Sequence, residues 1–287
     1  MSITATSDPL LNRTTPDRLN YANGVLLDEA DFRAEQTYHR GRLARALAGL
    51  NGYGTVAGLE VRYQEADAVN KIEEEIVVRP GLAIDRLGRL IELPRKACIR
   101  LDPWYKNQTT GDLFQAFKPN AVAAGSGGVI ADVYIRFVAC ETGKTPALST
   151  GPFDATDGVV PSRLRDAWEL KLFVRTEPAD PPPLPANPWQ AFGADPAKLR
   201  TAIFNAWHDD PDLPQDQRER DSDGKLRPLA GQPQGADPAV LFLARIAIPT
   251  DHAARPVRDA GRKVVAFNDK RLFAIPVGAL AVWAGAL

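Results

Sequence analysis

Val78-Arg79-Pro80-Gly81-Leu82-Ala83-Ile84-Asp85-Arg86-Leu87-Gly88-Arg89-Leu90-Ile91-Glu92-Leu93 reads as a β-hairpin. Leu82 and Ile84 alternate into a turn at Asp85-Arg86-Leu87-Gly88, and Leu90, Ile91 and Leu93 lead out of it. Gly88 suits the left-handed position such a turn requires. On the N-terminal side, Val56, Leu59 and Val61 predict one strand, and Ile76 with Val78 another. On the C-terminal side Ala97–Leu101 continues the pattern, with a loop expected over Asp102–Gly128. Strands are expected at Val129–Val138, Trp168–Val174, Val240–Ile248 and Lys263–Phe267. About eight short strands and no repeat of twenty to fifty residues favour a β body over a solenoid.

One helix precedes this body. Asp28 can cap it, Asp31 follows three residues later, and helix formers run on to Leu50. Phe32, Gln36, His39, Leu43, Leu47 and Leu50 share a face, with Phe32, Leu43 and Leu47 expected to pack on the β-structure. Arg33, Arg40, Arg42 and Arg45 fall largely off that face. The fold class is therefore mainly β (α+β): an antiparallel β-sandwich or Greek-key-like body, one long N-terminal helix, and a proline-rich insertion.

Proline marks the insertion. Twelve of the 24 prolines fall between residues 178 and 238, and proline lacks an N–H and fixes φ, so no central strand fits there. A short helix at Pro196–Trp207 is the one element expected within it. The chain divides into an arm (1–20), a helix plus β body (21–177), the insertion or linker (178–238), and final strands with an apolar tail (239–287). The insertion is expected to become ordered mainly against partners. The last sixteen residues, Leu272–Leu287, carry no charge. They read as a last strand or short helix on the chain's own core, as a tail docked in a neighbour, or as a membrane anchor, although a membrane role is disfavoured. The run falls short of the ~20 apolar residues a spanning helix needs.

Charge narrows the function. Across 287 residues, 35 basic and 36 acidic side chains leave a net charge of −1, which gives no basis for broad nucleic-acid binding. Cys98 and Cys140 read as buried free thiols. No signal peptide is visible before Pro16.

Catalytic constellations are not found. His208, Asp209, Asp210, Asp212, Asp216, Asp221 and Asp223 form an acidic loop. Asp221-Ser222-Asp223-Gly224 resembles the middle of a calcium loop, but Ala230 stands where the closing glutamate belongs. Ser126 lies in a glycine run without nucleophile-elbow spacing. His39, near Glu35 and Arg42, reads as a paired structural histidine, and Glu73-Glu74-Glu75 as a solvated run. No catalytic residue, metal ligand or cofactor is expected.

Asn20-Tyr21-Ala22-Asn23-Gly24-Val25-Leu26-Leu27, Asp31-Phe32, Glu35-Gln36, Tyr38-His39 and Arg42 lead into Gly52-Tyr53-Gly54-Thr55-Val56-Ala57-Gly58-Leu59-Glu60-Val61. Val78–Asp85, Gly88-Arg89 and Ile91 follow. This order resembles a bacterial family often encoded in gene clusters for phage-tail-like contractile injection systems. The match is dense over about residues 20–103 and absent from the proline-rich stretch. Asn51 departs from the histidine frequent in relatives, and Ala22 from an aromatic.

The resemblance implies a non-enzymatic structural subunit of such a particle, associated with the baseplate. Its partners would be sheath, tube or baseplate proteins. The chain would reside in the bacterial cytoplasm until assembly. Arg33, Arg40, Arg45, Leu280, Val282 and Trp283 are the expected assembly contacts. The alternative is a fibre-like surface-recognition or carbohydrate-binding component that stacks Trp189, Phe192 and Trp207 on sugars. A hydrolase using His208, Asp209 and Asp210 is a third reading.

Overall fold

The computed structural model describes residues 5–6, 8–12, 17–123, 126–146, 159–187, 196–206, 212–251, 254–276 and 280. In chain order its strands are β1 (Ala5–Thr6), β2 (Gly54–Gly58), β3 (Val61–Gln64), β4 (Glu75–Val78), β5 (Gly81–Ile84) and β6 (Leu90–Leu93). They continue with β7 (Ala97–Arg100), β8 (Phe117–Ala123), β9 (Ser126–Pro146), β10 (Val159–Val174), β11 (Leu241–Pro249) and β12 (Val265–Phe267). The helices are α1 (Glu29–Asn51), α2 (Leu101–Lys106), α3 (Thr110–Ala116) and α4 (Pro196–Asn205). The chain is mainly antiparallel β with one long N-terminal helix.

β2 through β7 form a single bent meander. β2-β5-β6 pair in one small sheet and β3-β4-β7 in another, in the same lateral order. Each of three chain passages therefore runs through both sheets and is interrupted at a common level. Hydrogen bonds from Leu59 N to Pro80 O (3.2 Å) and from Arg79 N to Glu60 O (2.9 Å) stitch the bend. Glycine makes the close approach possible, because a β-carbon on Gly58 would lie 2.1 Å from Pro80 O, and one on Gly81 2.3 Å from Ala57 O.

The second layer is a six-stranded sheet built around β9. One edge of β9 pairs with β8 and then β10, and the other with β11 and then β1. Val129, Ala131, Val133, Ile135 and Phe137 alternate along β9 and meet Leu59, Val61, Ile76, Val78, Ile91 and Leu93 of the meander in one core. The opposite face of β9 carries Asp132 and Tyr134, both fully buried.

The proline-rich stretch covers that opposite face. Leu184 and Ala236 pack on Tyr134, Val240 and Phe242. Asp132 accepts from Arg245 (Nε 2.8 Å, NH2 3.0 Å) and is also paired with Arg175. Arg245 donates onward to Pro182 O (2.6 Å), and Arg175 to Pro183 O (2.8 Å) and Gly231 O (3.0 Å). Proline carbonyls accept normally although the nitrogen cannot donate, so buried arginines hold a segment that no ladder could. Residues 178–187 and 226–240 are thus a layer of the chain's own fold. That corrects the expectation of a stretch ordered mainly by partners, and it explains why all nine residues of β11 are buried.

Two other expectations change. Residues 102–128 hold most of α2, all of α3 and β8 in place of a loop, with Thr109 Oγ accepting from Asp112 N (3.1 Å) to cap α3. Cys98 is exposed on the edge strand β7, and Cys140 is half-buried in the outer part of β9. Both thiols are free, but neither is core. The helix foreseen at Pro196–Trp207 is α4. Among the described residues, no helix is long and apolar enough to cross a membrane.

Candidate functional site

The β5–β6 turn is the hub of the molecule. Asp85 Oδ1 accepts from Leu87 N and Arg89 N (both 2.9 Å), and its Oδ2 accepts from Arg89 Nε (2.7 Å). Burial pushes the Asp85 carboxyl up from its ordinary value, and Arg89 pulls against that shift. Arg89 reaches Asp8 Oδ2 (3.3 Å), which also accepts from Arg40 of α1 (3.0 Å). Arg86 donates to Arg227 O (2.7 Å) and Pro238 O (2.9 Å) and pairs with Glu219 (3.3 Å). The N-terminal segment, α1 and the later part of the proline-rich stretch therefore converge on five residues. Three of them, Asp85, Arg86 and Arg89, are charged and buried, and every contact they make is internal. This is a structural latch.

α1 has an orientation the sequence did not disclose. Its start is as expected: Asp28 accepts from Ala30 N and Asp31 N, and Asp31 reciprocates to Asp28 N. The face expected in the core is mostly exposed, although Leu47 on it is half-buried. Phe32 is 50% exposed, Leu43 58% and Leu50 84%, and Ala44 is the one buried residue of the helix. Ala44 lies against Gly88 with its carbonyl at the turn backbone. Amphipathic spacing says which side chains share a side; the contacts that decide which side faces the body come from Ala44, Arg40 and the 3-10 turn Pro9–Leu11.

A second exposed feature is the outer part of the β9–β10 hairpin. Its pairing continues in register from Ala131↔Val174 to Pro146↔Val159. β11 leaves β9 at Ile135, and beyond it only β1 joins among the described residues, at Ala139 and Cys140. Past β1, the β9 residues 141–146 span about 20 Å at ~3.3 Å per residue. Arg163, Leu164, Arg165 and Asp166 are consecutive and all exposed. Because successive strand residues point to opposite faces, the ribbon is uncovered on both over these four residues. Among the described residues β10 pairs with β9 alone, which leaves its outer edge open.

The expected contact residues fall out unevenly. Arg33 and Arg45 are exposed, and Arg33 pairs with Glu29. Arg40 is committed to buried Asp8. Leu280 is 45% exposed, while Val282 and Trp283 lie outside the described residues. Just before them, Thr55 N donates to Leu272 O (2.9 Å) and Ala274 N to Thr55 O (3.0 Å), so the start of the tail extends the β2 sheet of its own chain. The ribbon was missed: the strands were foreseen only as Val129–Val138 and Trp168–Val174, because Glu141–Pro146 and Pro161–Asp166 are too polar to read as strand.

Several of the residues weighed for chemistry have partners within the fold. Asp221 Oδ1 accepts from Asp223 N (3.0 Å) and Lys225 N (2.9 Å), which closes a turn. Ser126 begins β9 and bonds Arg262. His39 lies 3.9 Å from Glu35. Glu74 is not merely solvated: it accepts from the Tyr63 hydroxyl (2.6 Å) and pairs with Arg258. His208, Asp209 and Asp210 lie outside the described residues, as do Trp189, Phe192 and Trp207. Among the described residues no group of three His, Cys, Asp or Glu side chains is placed to hold a metal ion. No family model and no curated protein matches the chain.

Proposed function

We propose that the chain is a structural subunit of a contractile injection particle or phage-tail-like assembly, associated with its baseplate. The observation that carries this reading is the β9–β10 ribbon. A two-stranded ribbon is marginally stable on its own in water, and here Glu141–Pro146 runs about 20 Å past the β1 pair, at ~3.3 Å per residue, with β10 alone beside it among the described residues. Such a ribbon gains most from a surface that covers it. Pro161, Arg163 and Arg165 along β10 are the residue types that guard an open edge against indiscriminate pairing, which favours one fitted partner over aggregation. The resemblance of residues 20–103 to proteins of injection-system gene clusters supplies the kind of particle. The test is to sediment particles from the producing bacterium and assay for the chain by mass spectrometry. It is expected at a fixed ratio to sheath and tube proteins, and its absence from intact particles would contradict the reading.

A further inference from the structure

α1 carries a regular stripe that no described residue of its own chain covers. Phe32, Gln36, His39, Leu43, Ala46 and Leu50 follow at alternating steps of four and three residues, and all six are exposed. That rhythm is the one by which two helices interlock side chains along a seam. The stripe lies about 120° around the helix from Ala44 at 3.6 residues per turn, so a second helix laid on it would clear the body.

We infer that two copies of the chain pair through this stripe, α1 alongside α1 in parallel. The flanking charges select both the occupant and the direction. In a parallel pair, residues on one flank meet residues five positions further along the second copy's opposite flank. Asp28 then meets Arg33 of the second copy, and Glu35 meets Arg40 of the second copy. Each of these two contacts occurs twice by symmetry, with acid against base, and the third, Arg42 against Leu47, sets no like charges together. The antiparallel arrangement that matches the same apolar layers sets Arg40 against Arg40 and Arg42 against Arg42, which repels. The sequence of α1 is therefore complementary to itself in one direction only. Arg40 can serve both partners: Asp8 takes one N–H of NH2 at 3.0 Å, a guanidinium has five donors, and the Arg40 side chain is 37% exposed. Gln36 and His39 interrupt the apolar layers, which fixes register at a cost in strength, so the pair should dissociate on dilution.

Sedimentation velocity of the full chain across a dilution series tests this. A monomer–dimer equilibrium is expected, and Leu43→Glu with Leu50→Glu should leave a folded monomer at concentrations where the native chain is dimeric. Glu35→Arg, which sets arginine against Arg40, should weaken the dimer at least several-fold. Cross-linking is the second measurement. Under mild oxidation Ala46→Cys, on the seam, should form disulfide-linked dimer several-fold more than Arg45→Cys, off it, with the native chain as control for Cys98 and Cys140. A native chain that stays monomeric, a dimer indifferent to Leu43 and Leu50, or equal cross-linking at 45 and 46 would each overturn the proposal. A monomer would leave the ribbon-based reading of function untouched, and absence from particles would leave the dimer untouched.

Discussion

At Gly88 the backbone sits at φ +81, and a β-carbon would lie 1.8 Å from Ala44 O. Gly88→Ala must therefore strain the turn and push the helix off it, with an expected loss of about 2–4 kcal/mol in a urea titration. Gly224 shares the positive φ but has nothing within 4 Å of the added carbon, so Gly224→Ala should cost only ~1 kcal/mol. Equal losses would show that the close approach of α1 is not what Gly88 provides. The turn was legible in the sequence because glycine ended an alternating run; its role under α1 was not, since the contact joins residues 44 apart. The tyrosines report burial by titration. A hydrogen bond with Arg42 lowers Tyr38 from its ordinary value. Burial raises Tyr53 and Tyr105 to about 12, and burial with the Glu74 carboxylate raises Tyr63 to about 12. A phenol whose folded value lies above its unfolded value near ~10 contributes stability that is complete below pH ~10 and lost as pH rises towards 12. Absorbance of tyrosinate should show Tyr38 ionising first and those three only as the fold weakens in alkali. A single step near pH ~10 for all six tyrosines would contradict the burial described.

Among the elements, α1 separates what spacing reveals from what it hides. Its start, length and apolar stripe were legible from Asp28, Asp31 and the helix formers that follow. Its contact face was not, because Ala44 and Arg40 hold it to the body through the turn and buried Asp8. The consequence is measurable. In dilute monomer, Leu43→Ala and Leu50→Ala should leave stability within ~0.5 kcal/mol of the native chain, whereas Ala44→Leu should cost ~1–3 kcal/mol by overpacking against Gly88. The reverse order in a denaturant titration would return the apolar stripe to the core. The proline-rich layer was hidden for a related reason. Proline spacing rules out a ladder, and only the structure shows Arg175 and Arg245 reaching its carbonyls from the six-stranded sheet. The α3 cap, by contrast, was present in the sequence as Thr109 followed by Asp112 and went unread beneath the expectation of a loop.

For the whole molecule, the layers are set by one apolar alternation along β9 on one face and one buried carboxylate on the other. The hairpin and strand patterns made the first layer legible. The second depended on Asp132, which from sequence alone is a polar interruption in a strand. The outer ribbon escaped notice because Glu141–Pro146 and Pro161–Asp166 contribute no described residue to the buried core, which is also why it can be shortened without disturbing that core. Glu141 and Leu164 are directly opposed across it, so a two-residue turn of the Asn-Gly type can join them and delete residues 142–163. The decisive measurement is the amount of this shortened chain in particles sedimented from the producing bacterium, beside its thermal unfolding in isolation. Unfolding unchanged from the native chain, with the shortened chain missing from particles, is the predicted result. Incorporation of the shortened chain at the native level would contradict the claim that the ribbon is what the assembly holds.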